Sequence, residues 1–208
     1  MGNPIREPKL IGALSLLAAL ASTTAPLAGQ KSTTRGLNLG VHLQGASLSV
    51  EDADSDGGGG LGFRIGYGIN RIITLYLEAD GVSVDSKNAD LFQGTWTLGH
   101  ADLGARFHFA NTLRSWVPYL EVAVGARGAS IDDAEADGEE LGDVSFSGGS
   151  FSFGGGIYAY FSRTLALDVG LKVSGGEFTE VDLGPISLNN LDIDANSTRF
   201  KVGIVWWP

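Results

Sequence analysis

An acidic segment in the first third of the chain has the spacing of oxygen ligands for a hard cation. Asp52, Asp54 and Asp56 alternate along it, and Gly57 follows, as in the first half of a calcium-binding loop. The twelfth position of such a loop is Phe63 here, where an EF-hand has a glutamate. The segment is therefore not an EF-hand, but it supplies carboxylates suited to Ca²⁺ or Mg²⁺.

Two later segments repeat this acidic spacing more loosely. One is Asp192-x-Asp194-x-Asn196. In the other, three carboxylates at alternate positions precede a glycine, and these candidate ligands are Asp133, Glu135 and Asp137. We expect no cofactor, with Ca²⁺ or Mg²⁺ at these segments as the one candidate, and the chain has no cysteine for a thiolate metal site. The alternative is that the segments are merely acidic, glycine-rich and solvated.

A second set of charged residues alternates strictly with apolar ones. In eight short segments every second residue is apolar, as in Leu75, Leu77 and Ala79, and the charges occupy the positions between. A period of two places the two sets on opposite faces of a β-strand. The interleaved charged residues are Arg64, Glu78, Asp80, Asp102, Arg106, Glu121, Arg127, Asp168, Lys172, Arg199 and Lys201.

These charges are expected to form an ion-pair network. If the strands close into a narrow barrel with these charges inside, each isolated charge would cost several kcal/mol, so pairing is required. Folding adjacent strands about their short turns predicts three pairs: Arg64 with Glu78, Arg106 diagonally with Glu121, and Tyr158 with Asp168.

The three histidines are the residues that would form a catalytic site with a nucleophile. His42, His100 and His108 all share the face of the charges. His100 points the same way as Asp102, which would orient an imidazole, but the pattern places no serine nucleophile beside it. We therefore predict histidines that only form hydrogen bonds, and a protein that is not an enzyme.

The N-terminus predicts export. Arg6 and Lys9 precede an apolar run at residues 10–21 and small or polar residues at 22–29, the layout of a secretory signal peptide. Cleavage after Ala25 and cleavage after Gly29 both fit. The predicted organisation is a signal peptide at residues 1–29 and one β-barrel domain at residues 30–208.

The connections between the segments alternate between short and long. Short ones lie near residues 70–71, 110–115 and 162–164, and long ones at residues 51–60, 83–94, 128–149 and 175–196. Each apolar segment is about 9–11 residues long, enough for a tilted strand to cross a membrane. We expect an all-β, eight-stranded antiparallel transmembrane barrel with a polar lumen, short periplasmic turns and long acidic outer loops.

Aromatic residues gather near the strand ends, as in the girdles of membrane barrels. Those at the short-turn end are Phe107, Phe109, Trp116, Phe161, Trp206 and Trp207, and those at the other end are Trp96 and Phe151.

The charge of the chain limits its partners. The formal net charge is −10, and removal of residues 1–29 takes away two bases and one acid, which leaves −11. Nucleic acid is therefore not expected as a partner, because phosphate binding needs a basic surface.

Two stretches carry a family resemblance. The chain is similar to small outer-membrane barrels of the OmpA/OmpX type in Pro118-Tyr119 with Gly125, and in the last strand from Phe200 to Trp207. The last strand resembles the C-terminal signal read by the barrel-assembly machinery, although Pro208 follows it. The resemblance implies a cell outer-membrane location, and contact with outer-membrane lipid and lipopolysaccharide. We also expect a monomer, since a closed barrel has no sheet edge that needs a partner.

Three function hypotheses remain at this point. The first is a non-enzymatic barrel with a paired, mostly closed lumen that serves membrane integrity or surface interaction. The second is a narrow pore for ions or small solutes, which needs a water path past Arg106, Glu121 and Arg127. The third is a soluble lipocalin-like binder with its apolar face inward, against which the alternation of short and long connections argues.

Overall fold

The alternating segments form eight β-strands that close into an antiparallel barrel, in which each strand pairs with the next and the last pairs with the first. This confirms the predicted fold class. The computed structural model describes residues 34–50, 56–86, 94–109, 115–136, 139–183 and 186–208. The strands are β1 (Gly36–Val50), β2 (Asp56–Gly68), β3 (Ile73–Ser86), β4 (Gly94–His108), β5 (Trp116–Ala136), β6 (Glu139–Tyr160), β7 (Leu165–Leu183) and β8 (Ile186–Trp206).

The predicted signal peptide, residues 1–29, lies outside the described residues. Among the residues that are described, no helix has the length and hydropathy of a membrane span.

The two strand faces have opposite chemistry. Leu77, Leu103 and Val124 lie in register on adjacent strands, and each is 57% exposed on the outer wall. All eleven interleaved charged residues are at most 8% exposed and face the interior. Apolar side chains outside and charges inside are typical of a barrel embedded in lipid. A lipocalin-like barrel would have its apolar face inside.

The three short turns lie at one end of the barrel, the short-turn end. Residues 69–72, 109–115 and 161–164 join the strands there. In the first turn, the side-chain oxygen of Asn70 accepts hydrogen bonds from the backbone N–H groups of Ile72 and Ile73 at 2.7 and 2.8 Å. This is the Asx-type bond that makes asparagine a favourable turn residue.

The opposite end, the hairpin end, corrects the predicted loop lengths. Most of residues 128–149 and 175–196 continue as paired strands rather than loops, so that β5 and β6 meet at residues 136 and 139 and β7 and β8 at residues 183 and 186. Strand pairing satisfies backbone N–H and C=O groups that a loop would leave to water. Register shifts in both hairpins accommodate the extra residues.

An aromatic layer fills the interior at the short-turn end. Its core is Tyr158, Tyr160 and Trp207, with ring centroids 5.2–6.2 Å apart. Trp207 is only 1% exposed, so its predicted place in the outer girdle is wrong. Trp206 takes the outward position, and the backbone N–H of Trp207 donates to the carbonyl of Thr164 at 2.7 Å, which seals the end of β8 against the turn beside it.

A second apolar layer crosses the interior toward the hairpin end. It consists of buried residues from five strands, with two partly buried residues packed against it. The buried members are Val82, Leu98, Ala129, Phe178 and Ala195, and the packed ones are Ala46 and Phe146. The charged residues therefore occupy a middle zone between two apolar layers.

The other predicted girdle residues whose side chains are described face outward as predicted. The side chain of Trp96 lies outside the described part of the structure. The outward members are Phe107, Phe109, Trp116, Phe151, Phe161 and Trp206.

Candidate functional site

Arg106 of β4 is the centre of the charged zone near the aromatic layer. Its Nε and Nη2 atoms donate to one oxygen of Glu121 at 3.1 and 2.6 Å, and Nη1 donates to Asp168 at 3.1 Å. Nη1 also contacts the hydroxyl of Tyr158. The guanidinium carbon lies 3.8 Å from the ring centroid of Tyr119, a distance at which a cation is attracted to the ring face.

Arg64 and two tyrosines complete this part of the zone. Nη2 of Arg64 donates to Asp168 and to the Tyr158 hydroxyl, both at 3.0 Å, and Nη1 lies 3.6 Å from Glu78. The Tyr119 hydroxyl donates to the other oxygen of Asp168 at 2.6 Å. Asp168 thus accepts from two guanidinium groups and a phenol, which is the satisfaction that a buried carboxylate requires.

The two lysines bridge the carboxylates of the middle of the lumen. Lys172 donates to Glu78 and lies 3.2 Å from Asp102. Lys201 lies 3.2 Å from Glu78 and 2.9 Å from Glu121. Each lysine therefore joins two carboxylates, and the contacts of Arg106 and Arg64 continue from them without a break.

Arg199 extends the contacts toward the hairpin end. Its Nη1 donates to Asp80 at 2.7 Å, and Nη2 lies 3.3 Å from Asp102 and donates to the Ser174 hydroxyl at 2.6 Å. Ten of the eleven predicted lumen charges are joined in this way into one continuous set of contacts within the described part of the chain.

Arg127 is the exception, because no salt bridge within 4.0 Å joins it to a carboxylate in the described part of the chain. Its Nη1 donates to the backbone carbonyl of Ala195 at 2.7 Å, and its guanidinium carbon lies 5.1 Å from the ring centroid of Phe178. The reason is its level in the barrel, since the residues in register with it on the flanking strands are His100 and Gly148. Neither in-register residue is a carboxylate, and the acid whose charge interacts with Arg127 is the exposed Asp194 of β8.

The strand register decides the three predicted facing pairs. Arg64 lies opposite Glu78, and Tyr158 lies opposite Asp168, as expected. Arg106 is directly opposite Glu121 rather than diagonal to it, so the register of β4 against β5 differs by two residues from the expected one.

All three histidines are buried in the interior. Nε2 of His108 pairs with the Thr74 hydroxyl at 3.0 Å. Nδ1 of His100 lies 3.5 Å from Asp80, so its carboxylate neighbour is Asp80 rather than the predicted Asp102. None of the three histidines is hydrogen-bonded to a serine among the described residues.

The predicted calcium ligands are only partly within the described chain. Asp52, Asp54 and Asp137 lie outside it. Asp56 is the first residue of β2, and Asp133 and Glu135 lie near the end of β5, so these three belong to strands rather than loops. Cation binding by these acidic segments stays a prediction.

Comparison with known proteins follows from this architecture. The sequence matches the model of the outer membrane protein beta-barrel domain over residues 14–206. The chain belongs to this family. It is thus an outer-membrane barrel. Because the turns of such barrels are short on the periplasmic side, the short-turn end is the periplasmic end and the hairpin end is the outer one.

Solved structures of other outer-membrane barrels share this fold. Neisserial surface protein A is 17% identical, with a TM-score of 0.62, and the match covers 82% of this chain and 96% of that one. Ail, the attachment invasion locus protein of Yersinia pestis, is 12% identical, with a TM-score of 0.53 and coverage of 83% and 99%. Ail in complex with the heparin analogue sucrose octasulfate gives a TM-score of 0.51 at 12% identity and the same coverage. No curated protein matches the sequence.

Proposed function

We propose that this outer-membrane barrel is a non-enzymatic protein with a closed lumen, and that it serves membrane integrity or surface interaction through its acidic outer hairpins. The observation that carries the proposal is the filling of the lumen. Ten charged side chains contact one another across the barrel, and an apolar layer lies on each side of them. An eight-stranded barrel is only wide enough for its own side chains to fill.

The outer side of the chain supports a restricted choice of partners. The segments 51–60, 83–94, 128–149 and 175–196 together contain eighteen acidic residues and one basic residue, Lys87. Such a surface repels polyanions of the kind bound in the Ail complex. We therefore propose partners that are cationic, or lipopolysaccharide phosphates that divalent cations bridge to these carboxylates. The C-terminal strand is proposed to be read by the barrel-assembly machinery, and the barrel to be a monomer.

A narrow pore is the second candidate, and one observation favours it. Several inward polar atoms, including Nε2 of Gln44 and Oγ of Ser197, have no hydrogen-bond partner among the described residues. Buried polar groups of this kind need water when protein does not satisfy them, and a continuous file of water would conduct.

Ion conductance in a planar bilayer separates the two candidates. The refolded protein is compared with Arg106→Ala, which opens the centre of the lumen, and with Arg163→Ala, which removes an exposed charge in a periplasmic turn. The closed-lumen proposal expects no steady conductance from the unaltered protein. Steady conductance that Arg106→Ala changes and Arg163→Ala does not would establish the pore instead.

A further inference from the structure

In the lumen, a histidine outside the ion-pair network meets two carboxylates that belong to it. His42 lies on β1, and Glu78 and Asp80 lie on β3. One ligand atom from each lies within 4.8 Å of those of the other two, and all three residues are buried. We infer that these residues bind a divalent transition-metal ion of the zinc type, for which imidazole nitrogen and carboxylate oxygen are ordinary ligands.

Two unpartnered atoms point to a ligand at this place. Nε2 of His42 and Oδ1 of Asp80 have no hydrogen-bond partner within the described part of the chain, and His42 is only 5% exposed. A buried acceptor without a partner is unfavourable by about 1–3 kcal/mol. A metal ion satisfies both atoms at once, because each offers a lone pair.

A glycine permits the histidine to reach across the intervening strand. Gly62 of β2 is in register with His42 on one side and with Asp80 on the other. A Cβ atom at position 62 would lie 2.1 Å from Nε2 of His42. The imidazole therefore lies over β2 toward β3 only because residue 62 has no side chain.

The spacing is close to that of a bound site. Zinc–ligand bonds of about 2.0–2.2 Å in a tetrahedral arrangement put ligand atoms about 3.4 Å apart. Ligand atoms within 4.8 Å of one another need to approach by at most about 1.4 Å to reach this separation. Nδ1 of His100 lies 3.5 Å from the same oxygen, Oδ1 of Asp80, without a hydrogen bond between them, so His100 borders the site and leaves this oxygen available.

The cations that contact Glu78 keep other carboxylate partners when Glu78 binds the metal. Glu78 contacts Lys172, Lys201 and Arg64. Lys201 also lies 2.9 Å from Glu121, so it keeps a carboxylate partner when Glu78 turns to the metal. Asp80 uses its other oxygen, Oδ2, for the pair with Arg199, and Oδ1 is left for the ion.

Zinc titration of the refolded full-length barrel tests the inference. We expect one Zn²⁺ per chain by calorimetry and elemental analysis, and a visible Co²⁺ spectrum from the substituted site. His42→Ala is expected to weaken binding at least about tenfold. Gly62→Ala is expected to do the same while it leaves every ligand in the sequence.

Two further variants keep the experiment decisive. His108→Ala removes another buried lumen histidine, one that pairs with Thr74, and is expected to leave zinc affinity unchanged. His42→Gln replaces His42→Ala if the latter does not refold. No zinc binding by the unaltered protein would overturn the inference. Binding that His42 and Gly62 variants leave intact would also overturn it and would place the ion at the acidic outer segments.

Discussion

Replacement of Arg106 by methionine should destabilise the barrel by more than the same replacement of Arg127, another buried lumen arginine. Arg106 is 1% exposed and makes charged contacts with Glu121 and Asp168 as well as ring contact with Tyr119. Methionine keeps much of the apolar stem and removes the charge. The variant therefore isolates the electrostatic part of the interaction.

The expected magnitude follows from the partners left behind. Removal of one member of a buried ion pair typically costs about 3–5 kcal/mol, because the other charge stays buried without compensation. Here Glu121 keeps Lys201 at 2.9 Å, and Asp168 keeps Arg64 at 3.0 Å. The loss should therefore lie at the lower end, about 3 kcal/mol.

Arg127→Met is the matched control. Arg127 is also buried, but in the described chain it donates to a backbone carbonyl and pairs with no carboxylate. Its loss leaves no buried carboxylate without a partner and should cost about 1.5–2 kcal/mol, the lower part of the range for a hydrogen bond to a charged group.

Urea unfolding of the refolded protein in lipid vesicles measures Arg106→Met and Arg127→Met, and then Glu121→Gln alone and combined with Arg106→Met. The combined change should cost less than the sum of the two single changes, since residues in contact couple by about 0.5–3 kcal/mol. Equal losses for Arg106→Met and Arg127→Met, or additive losses for the pair, would refute the idea that carboxylate pairing stabilises this lumen.

Two further predictions concern the outer surface. Leu103→Arg puts a charge at an outward position midway along β4. Insertion of the protein into vesicles should become less favourable by about 2–4 kcal/mol, the cost of arginine at the bilayer midplane. A change below about 1 kcal/mol would show that this face does not contact hydrocarbon. Millimolar calcium added after chelation should raise the melting temperature and the hydrogen-exchange protection of the outer segments if Asp52, Asp54 and Asp56 bind it, and no change on addition would contradict the site.

Much of the fold follows from the parity of residues along each strand. Period-two alternation assigns Glu78 and Asp80 to one face and Leu77 and Ala79 to the other, and this assignment holds throughout the described strands. The register of neighbouring strands also follows, because a short turn such as residues 69–72 leaves few ways to pair its flanks.

Contacts across the lumen were beyond sequence reasoning. Arg64 and Asp168 are 104 residues apart and lie on strands that do not pair, so no turn geometry links them. Their meeting depends on the curvature and stagger of the closed barrel. The same holds for Arg127. It faces inward like the residues of the ion pairs, but at its height in the barrel its hydrogen-bond acceptor is the backbone carbonyl of Ala195.

The two apolar layers can be recognised in the sequence when the inward residues of each strand are considered separately. Val82 follows Asp80 on the inward face of β3, and Ala129 follows Arg127 on that of β5. Read along the inward face alone, the charged positions therefore give way to apolar ones toward the outer end. Trp207 extends this to the other end, since its parity is inward while its type suggests the membrane interface.

Net charge is a misleading guide to such a protein, because the chain divides its charges by level. The lumen holds five acids and six bases, whereas the outer segments are almost wholly acidic and the periplasmic turns carry Arg71, Arg114 and Arg163 without any acid. The value of −10 therefore describes none of these regions. A near-balanced lumen lets buried charges stabilise one another, and the acidic outer segments set the electrostatic potential on the outer side of the barrel.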